Sequence, residues 1–273
     1  MSTDESNPYQ ASATDPKPPA GPRGSMEYMQ AVQYVFESPK WMANLLWGSL
    51  CLLSTSVIPV VGQLILMGYQ FEIVEVLLCN PPKKGDPDFD PNRCVDYLVR
   101  GFWVFLVTLV LMLLFVPVVA VFMFGGIGIF AGLAAATEDD EAAMTVGAMV
   151  TFGIMFVAMF VLWIAMILVV TPFTIRAGLT QDFRASFDFA WIKDFVRRMW
   201  KEIFLATLFL IAVGVLAVII GLLLCIVGLY PAVTAVILTQ GHLYLQMYQL
   251  YLARGGEKIP LKPSEPIQPA TSA

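Results

Sequence analysis

Four blocks of this chain, residues 41–71, 101–137, 142–175 and 203–241, contain no Asp, Glu, Lys, Arg or His. No other feature constrains the fold as much. A transmembrane helix needs about 20 predominantly apolar residues, and each block is longer than that. Backbone groups in hydrocarbon find no water to bond, so such segments must be helices or a closed barrel. A barrel would show short segments of alternating polarity, and the blocks do not alternate. Of the 273 residues, 58% are hydrophobic and 14% charged, with a mean hydropathy of +0.73. Soluble domains carry about 25% charged residues, and a soluble chain of this size has too little interior to hide so much apolar surface. The expectation is an all-α polytopic membrane protein.

Several function classes recede at once. A net charge of −5 leaves no basic footprint for nucleic acid. The four cysteines, Cys51, Cys79, Cys94 and Cys225, form no CxxC or Cys/His spacing, which argues against a metal centre. Cys51 and Cys225 fall in apolar runs and read as packing residues. Cys79 and Cys94 flank one loop and stay reduced if that loop is cytoplasmic. Residues 1–24 are polar and proline-bearing. They read as a disordered tail rather than a signal peptide, because no apolar core follows a basic start.

From Ser25 the text changes. Met26, Met29, Val32, Val35 and Phe36 recur at helical spacing, with Ser25 as N-cap. This predicts a short amphipathic helix on the membrane surface, ended by Ser38-Pro39. Residues 182–202 predict a second one. Phe183, Phe187, Phe189, Ile192, Phe195, Val196 and Met199 form its apolar side, and Arg184, Lys193, Arg197, Arg198 and Lys201 its basic side, suited to an anionic inner leaflet. The membrane domain thus covers 25–253. A tail from 254 to 273 carries Pro260, Pro263, Pro266 and Pro269 at the three-residue period of polyproline II, and is expected to be extended and unstructured.

The number of crossings turns on Pro59 and Gly62. Residues 41–78 cross the membrane once with a kink, or twice with a turn. Two stretches of 20 residues, 39–58 and 59–78, just span about 30 Å of hydrocarbon. Proline suits the first turn of a helix, so Pro59 is expected to open a second helix. The 203–253 run must also turn, and Gly228 to Pro231 is the expected place. This gives six helices as three hairpins; the alternative is five. Cytoplasmic loops carry the Lys/Arg excess. The loops 79–100 and 176–202 and the C-terminal tail are basic, whereas 137–141 and 228–231 have no Lys or Arg. With six spans, all sixteen Lys and Arg lie on the cytoplasmic side of a cell membrane, and so do both termini.

Two internal echoes support hairpin duplication. Phe89-Asp90 with Asp96-Tyr97-Leu98-Val99-Arg100 recurs as Phe187-Asp188 with Asp194-Phe195-Val196-Arg197-Arg198, at a constant offset of 98 residues. Pro59 with Gly68-Tyr69 is echoed by Pro231 with Gly241-His242.

FESPKW (36–41), VIPVVGQLILMGY (57–69), DFDPNRCVDYLVRGFW (88–103) and RASFDFAWI (184–192) resemble a prokaryotic integral-membrane family, domain of unknown function 4013. The pattern P-x-x-G-x5-G-Y at Pro59, Gly62, Gly68 and Tyr69 is the most specific element. The resemblance covers residues 28–252 and implies a bacterial-type membrane protein. It carries no catalytic or binding residue.

Candidate sites are few. Glu72 and Glu75 close the first apolar region. They are either interfacial carboxylates paired with Arg100 or Arg176 or, since an intramembrane carboxylate is a functional candidate, a cation or proton site. His242 is the only histidine. It suits a proton relay, though an imidazole bonded across helices is the commoner role. Asp86, Asp88, Asp90 and Asn92 imitate a calcium loop, but Pro91 and Tyr97 stand where Gly and Glu are needed. Gly126, Gly128 and Gly132 are spaced one residue too long for a nucleotide fingerprint; Gly128 and Gly132 instead fit close helix packing. No catalytic set, metal or cofactor is expected. Two functions remain. One is a non-enzymatic scaffold or accessory component whose partners are membrane lipids and an unidentified protein. The other is a transporter or channel that uses Glu72, Glu75 or His242.

Overall fold

The computed structural model describes residues 24–79, 87–136, 141–224 and 227–261, and over these the chain is helical. A short helix α1 (Tyr28–Glu37) leads through Ser38 into α2 (Trp41–Ser54) and α3 (Val61–Cys79). A 3-10 turn at Pro91–Arg93 opens α4 (Cys94–Ala136), which is followed by α5 (Glu141–Thr180). A single turn α6 (Phe183–Ser186) precedes α7 (Phe189–Leu223) and α8 (Leu229–Ala253). The expected 1–24 tail, apart from Gly24, and the last three prolines of the C-terminal tail lie outside the described residues.

Among the described residues, four helical segments are long and apolar enough to cross a membrane: Val61–Leu78, Pro91–Ala136, Glu141–Thr180 and Phe189–Leu223. Helix α2 is apolar but has only 14 residues. The six long elements pair as α2/α3, α4/α5 and α7/α8. Helices α3 and α8 run in the same direction, because Gly48 touches Leu66 and Thr234 while Gln70, further along, meets Ile237 and Gly241. The links after α2, α4 and α7 therefore share one end of the bundle. The basic segments share the other.

The core sits at the basic end. Tyr69, Phe71, Tyr97, Ile175, Phe195, Leu243 and Tyr251 are all nearly or fully buried there. Away from it, α4, α5 and α7 expose one large apolar side chain after another, among them Phe124, Phe156 and Leu223. Helix α4, with 43 residues, is about 64 Å long at 1.5 Å per residue, roughly twice the hydrocarbon thickness. Pro117 and Pro172 lie inside α4 and α5 without ending them.

The hairpins are set by close backbone approach. A Cβ on Gly62 would fall 1.6 Å from the Cys51 carbonyl oxygen, one on Gly68 1.7 Å from that of Tyr97, and one on Gly101 1.9 Å from that of Leu64. Only glycine permits α2, α3 and α4 to pack this tightly.

Several expectations require correction. Helix α3 begins at Val61, not Pro59. The chain turns through 55–60, and Val60 takes a left-handed φ of 76° that redirects it into the helix. The second turn comes earlier than Gly228–Pro231. Helix α7 ends at Leu223, Gly228 is the N-cap of α8, and Pro231 lies in that helix's first turn, where its missing N–H costs nothing. Residues 182–202 are not a separate surface helix. Asp188 caps α7 by accepting from the Trp191 N–H at 3.2 Å, and the helix then continues unbroken to Leu223. On its apolar side Trp191 and Phe195 are buried against Tyr251 of α8, at 5.3 and 4.8 Å, whereas Phe189 is exposed. Helix α1 is preceded by Glu27, not capped by Ser25.

Candidate functional site at the basic end

Helix α3 presents Glu72 and Glu75 one turn apart; Arg93 closes the 3-10 turn before α4, and Arg100 follows on α4 itself, seven residues on. The antiparallel packing allowed by Gly68 and Gly101 brings the two sets into register. Arg93 grips Glu72 with both terminal nitrogens, the second at 3.1 Å. Arg100 forms an ion pair with Glu75 and donates to the Phe71 carbonyl at 3.1 Å. The Glu75 and Arg100 side chains are only 6% and 11% exposed. The expected Glu75–Arg100 pairing is therefore present. Glu72 instead chooses Arg93, and Arg176 turns to Asp188 at 2.9 Å.

The loop before α4 is fastened to the α1–α2 corner. Phe89 inserts between Tyr69 and Tyr97, with ring centroids at 5.1 and 5.2 Å, and its N–H donates to Asn44 at 3.0 Å. The Tyr69 hydroxyl donates to the Pro87 carbonyl at 2.9 Å. Asp88 accepts from Ser38 at 3.0 Å and Asn44 at 3.3 Å and pairs with Lys40 at 3.1 Å. Burial by itself would raise the Asp88 carboxyl; the bonds from Lys40, Ser38 and Asn44 outweigh it and hold the group below its ordinary value. Asp90 caps the turn into α4 through the Asn92 N–H at 2.9 Å. Of the loop carboxylates that imitate calcium ligands, Asp88 thus serves as a clip and Asp90 as a cap, and Asp86 lies outside the described residues. Among the described residues, no group of three or more His, Cys, Asp or Glu could hold a metal.

The 98-residue echo has a structural meaning. Asp90 and Asp188 each cap the helix that follows, and Phe89 and Phe187 each lie against aromatic neighbours. The glycines of the second echo differ: a Cβ on Gly68 would strike the Tyr97 backbone, whereas one on Gly241 would meet the Gln70 side chain at 2.6 Å.

His242 is buried on α8. Its ring stacks on Tyr34 of α1 at 4.6 Å, and its Nδ1 lies 3.1 Å from Gln246 Nε2. Gln246 also accepts from the Glu27 N–H at 2.8 Å and donates to the Glu27 carbonyl at 3.0 Å, holding the start of α1 against α8. Sequence reasoning missed Arg93, Asn44 and Gln246. The spacings of Arg93 to Arg100 and of His242 to Gln246 mark single helix faces. Their partners, however, lie 21 residues away (Arg93 to Glu72) and 219 away (Gln246 to Glu27).

A cleft of about 330 Å³, open to the outside past Met112 and Ile211, lies among α4, α5, α7 and α8. Its polar lining is Thr171, Thr207, Gln240 and Tyr244. Gln240 donates to the Tyr244 hydroxyl at 2.7 Å. Neither glutamate nor His242 lines it.

A family model described as Protein of unknown function (DUF4013) matches residues 51–226. The matched region includes both glutamate–arginine pairs and ends before α8. No curated protein and no solved structure matches the chain.

Proposed function

The chain belongs to the DUF4013 family, and from that premise we propose that it is a non-enzymatic integral protein of the cell membrane. It acts as a scaffold or accessory component that binds lipid and a protein partner. Its six long helices cross as three hairpins, with the basic end and both termini in the cytoplasm. The observation that carries this reading is the closure of the ionisable groups. Glu72 is neutralised by Arg93 of the turn that opens α4, and Glu75 by Arg100 of α4. A carboxylate locked in this way is poorly placed to bind and release a cation or proton. The apolar blocks beyond offer no other charge.

A transporter or channel is the second reading, favoured by the cleft lined by Gln240 and Tyr244. Two measurements separate them. Affinity capture from native membranes is expected to retain a partner in fixed stoichiometry. Solute flux in proteoliposomes that is abolished by Gln240→Leu would establish transport instead. Orientation is tested by a reporter fused at Ser25, expected to read cytoplasmic; an extracytoplasmic signal overturns the six-span arrangement.

A further inference from the structure

Helix α7 carries one exposed stripe along most of its length. Lys193, Arg197 and Lys201 open it at four-residue intervals, and Leu205, Leu208, Val215 and Ile219 continue it on the same helix face. At the junction stands Trp200, half-exposed, with the Lys201 ammonium 5.5 Å from the centre of its ring. A tryptophan between cations and apolar side chains is the arrangement of a membrane–water interface.

Neighbouring acids do not consume these cations. Among the described residues, Lys193 and Lys201 form no ion pair, and Arg197, with 77% of its side chain exposed, has only Asp194 at 3.9 Å. Asp194 is itself held by Arg198 at 2.8 Å and by the Tyr251 hydroxyl at 3.1 Å, and Glu202 pairs with Arg254. The stripe therefore presents net positive charge outward.

Depth along the helix says what that charge meets. From Leu205 to the end of α7 at Leu223 is about 28 Å at 1.5 Å per residue, close to the thickness of the hydrocarbon core. Lys201 then stands about 6 Å above the hydrocarbon and Arg197 about 12 Å. The headgroup layer is about 5–7 Å deep on each side. Lys201 lies within it, and the long stem of Arg197 lets its guanidinium reach down to it.

We propose that Arg197 and Lys201 bind the headgroup phosphate of an anionic phospholipid at the cytoplasmic surface. The inference rests on the membrane placement proposed above and names the class of lipid that the basic end selects. Lys201 supplies a point charge, and Arg197 a fork of donors that matches phosphate oxygens. A zwitterionic headgroup carries its own cation beside the phosphate and gains less from the pair.

The test places the photoreactive residue benzoylphenylalanine at Leu205 of the full-length protein, one turn below Lys201, or at Leu113 of α4. Leu113 is exposed, and its neighbour Met112 shares a cleft with Ile203 and Thr207, which sets it at a similar depth. Each protein is reconstituted into vesicles of equal parts phosphatidylglycerol and phosphatidylcholine with identical acyl chains, and the captured lipid is identified by mass. At Leu205, phosphatidylglycerol is expected to exceed phosphatidylcholine by about fivefold, the effect of one basic residue near an anionic surface. At Leu113 the two are expected to be equal. Arg197→Gln with Lys201→Gln is expected to bring the Leu205 ratio to one, and Arg197→Lys with Lys201→Arg to retain the excess. An even ratio at Leu205, an excess shared by Leu113, or an excess that does not follow the charge at positions 197 and 201 overturns the site and leaves the membrane placement standing. No lipid captured at either position overturns the placement and the site together.

Discussion

Gly68→Ala is the sharpest test of how the bundle is built. A Cβ at this position would lie 1.7 Å from the Tyr97 carbonyl oxygen, whereas real Cβ contacts essentially never fall below 3.0 Å. Helices α3 and α4 must therefore part by at least about 1.3 Å. The obstacle is backbone, so no side chain can rotate to relieve it. Overpacking costs about 1–3 kcal/mol, and this case belongs at the upper end. A gap of 0.5–1 Å already forfeits about a quarter to a half of a dispersion contact, which the buried rings of Tyr69 and Tyr97 would feel. Alanine's helix preference over glycine returns about 1 kcal/mol. The net loss expected is about 2 kcal/mol, or a fall in Tm of roughly 4–8 °C for a chain of this size. Gly128→Ala is the control: contrary to the close packing expected of Gly128 and Gly132, nothing lies within 4 Å of a Cβ at either. It should be neutral or stabilising by up to about 1 kcal/mol. Thermal unfolding of both variants in one detergent decides the matter. If Gly68→Ala is as stable as the unmodified protein, the account of α3–α4 packing is wrong.

Three further outcomes follow from the basic end. Glu75→Gln strands Arg100 in a buried setting, a change that costs about 3–5 kcal/mol in comparable pairs. The bond to Phe71 that Arg100 keeps places this case at the lower end, and Glu75→Leu with Arg100→Met should recover most of the loss in a double-mutant cycle. Asp88 has its carboxyl lowered when folded, so the stability it adds is whole above about pH 3.9, its unfolded value, and disappears as pH falls through the lower folded value. The stability gap between the unmodified protein and Asp88→Asn should thus be flat from about pH 7 to 5 and close at more acidic pH; a gap that persists at the acid limit would falsify the clip. His242→Gln retains a polar partner for Gln246 but loses the stack on Tyr34, and should lower stability by about 0.5–1.5 kcal/mol without unfolding the protein, as measured by the same thermal assay.

Much of this was legible in the chain. Charge-free blocks dictate helices because lipid leaves the backbone no other partner, and the alternation of basic and non-basic links orders them into hairpins. The glycines of the P-x-x-G-x5-G-Y pattern were readable as special, though their reason was not, since it lies in carbonyls 29 residues from Gly68, at Tyr97, and 11 from Gly62, at Cys51. Turn positions were misread by a few residues. Proline and glycine permit a turn over several registers, and packing selects one. The 182–202 segment looked like a surface helix because its amphipathic period is real. Tyr251 of α8 covers the part of that apolar side formed by Trp191 and Phe195.

The sequence by itself determined that the chain is helical and membrane-compatible, and that its lysines and arginines fall in alternate links. These follow from local composition and from the cost of unpaired polar groups in hydrocarbon. Only the tertiary structure decided what the lone polar residues do. Glu72 and Glu75 became arginine-locked struts, and His242 a stacked and bonded core residue, because each partner comes from a different helix. No rule of spacing along one chain fixes which distant side chain a buried charge will meet.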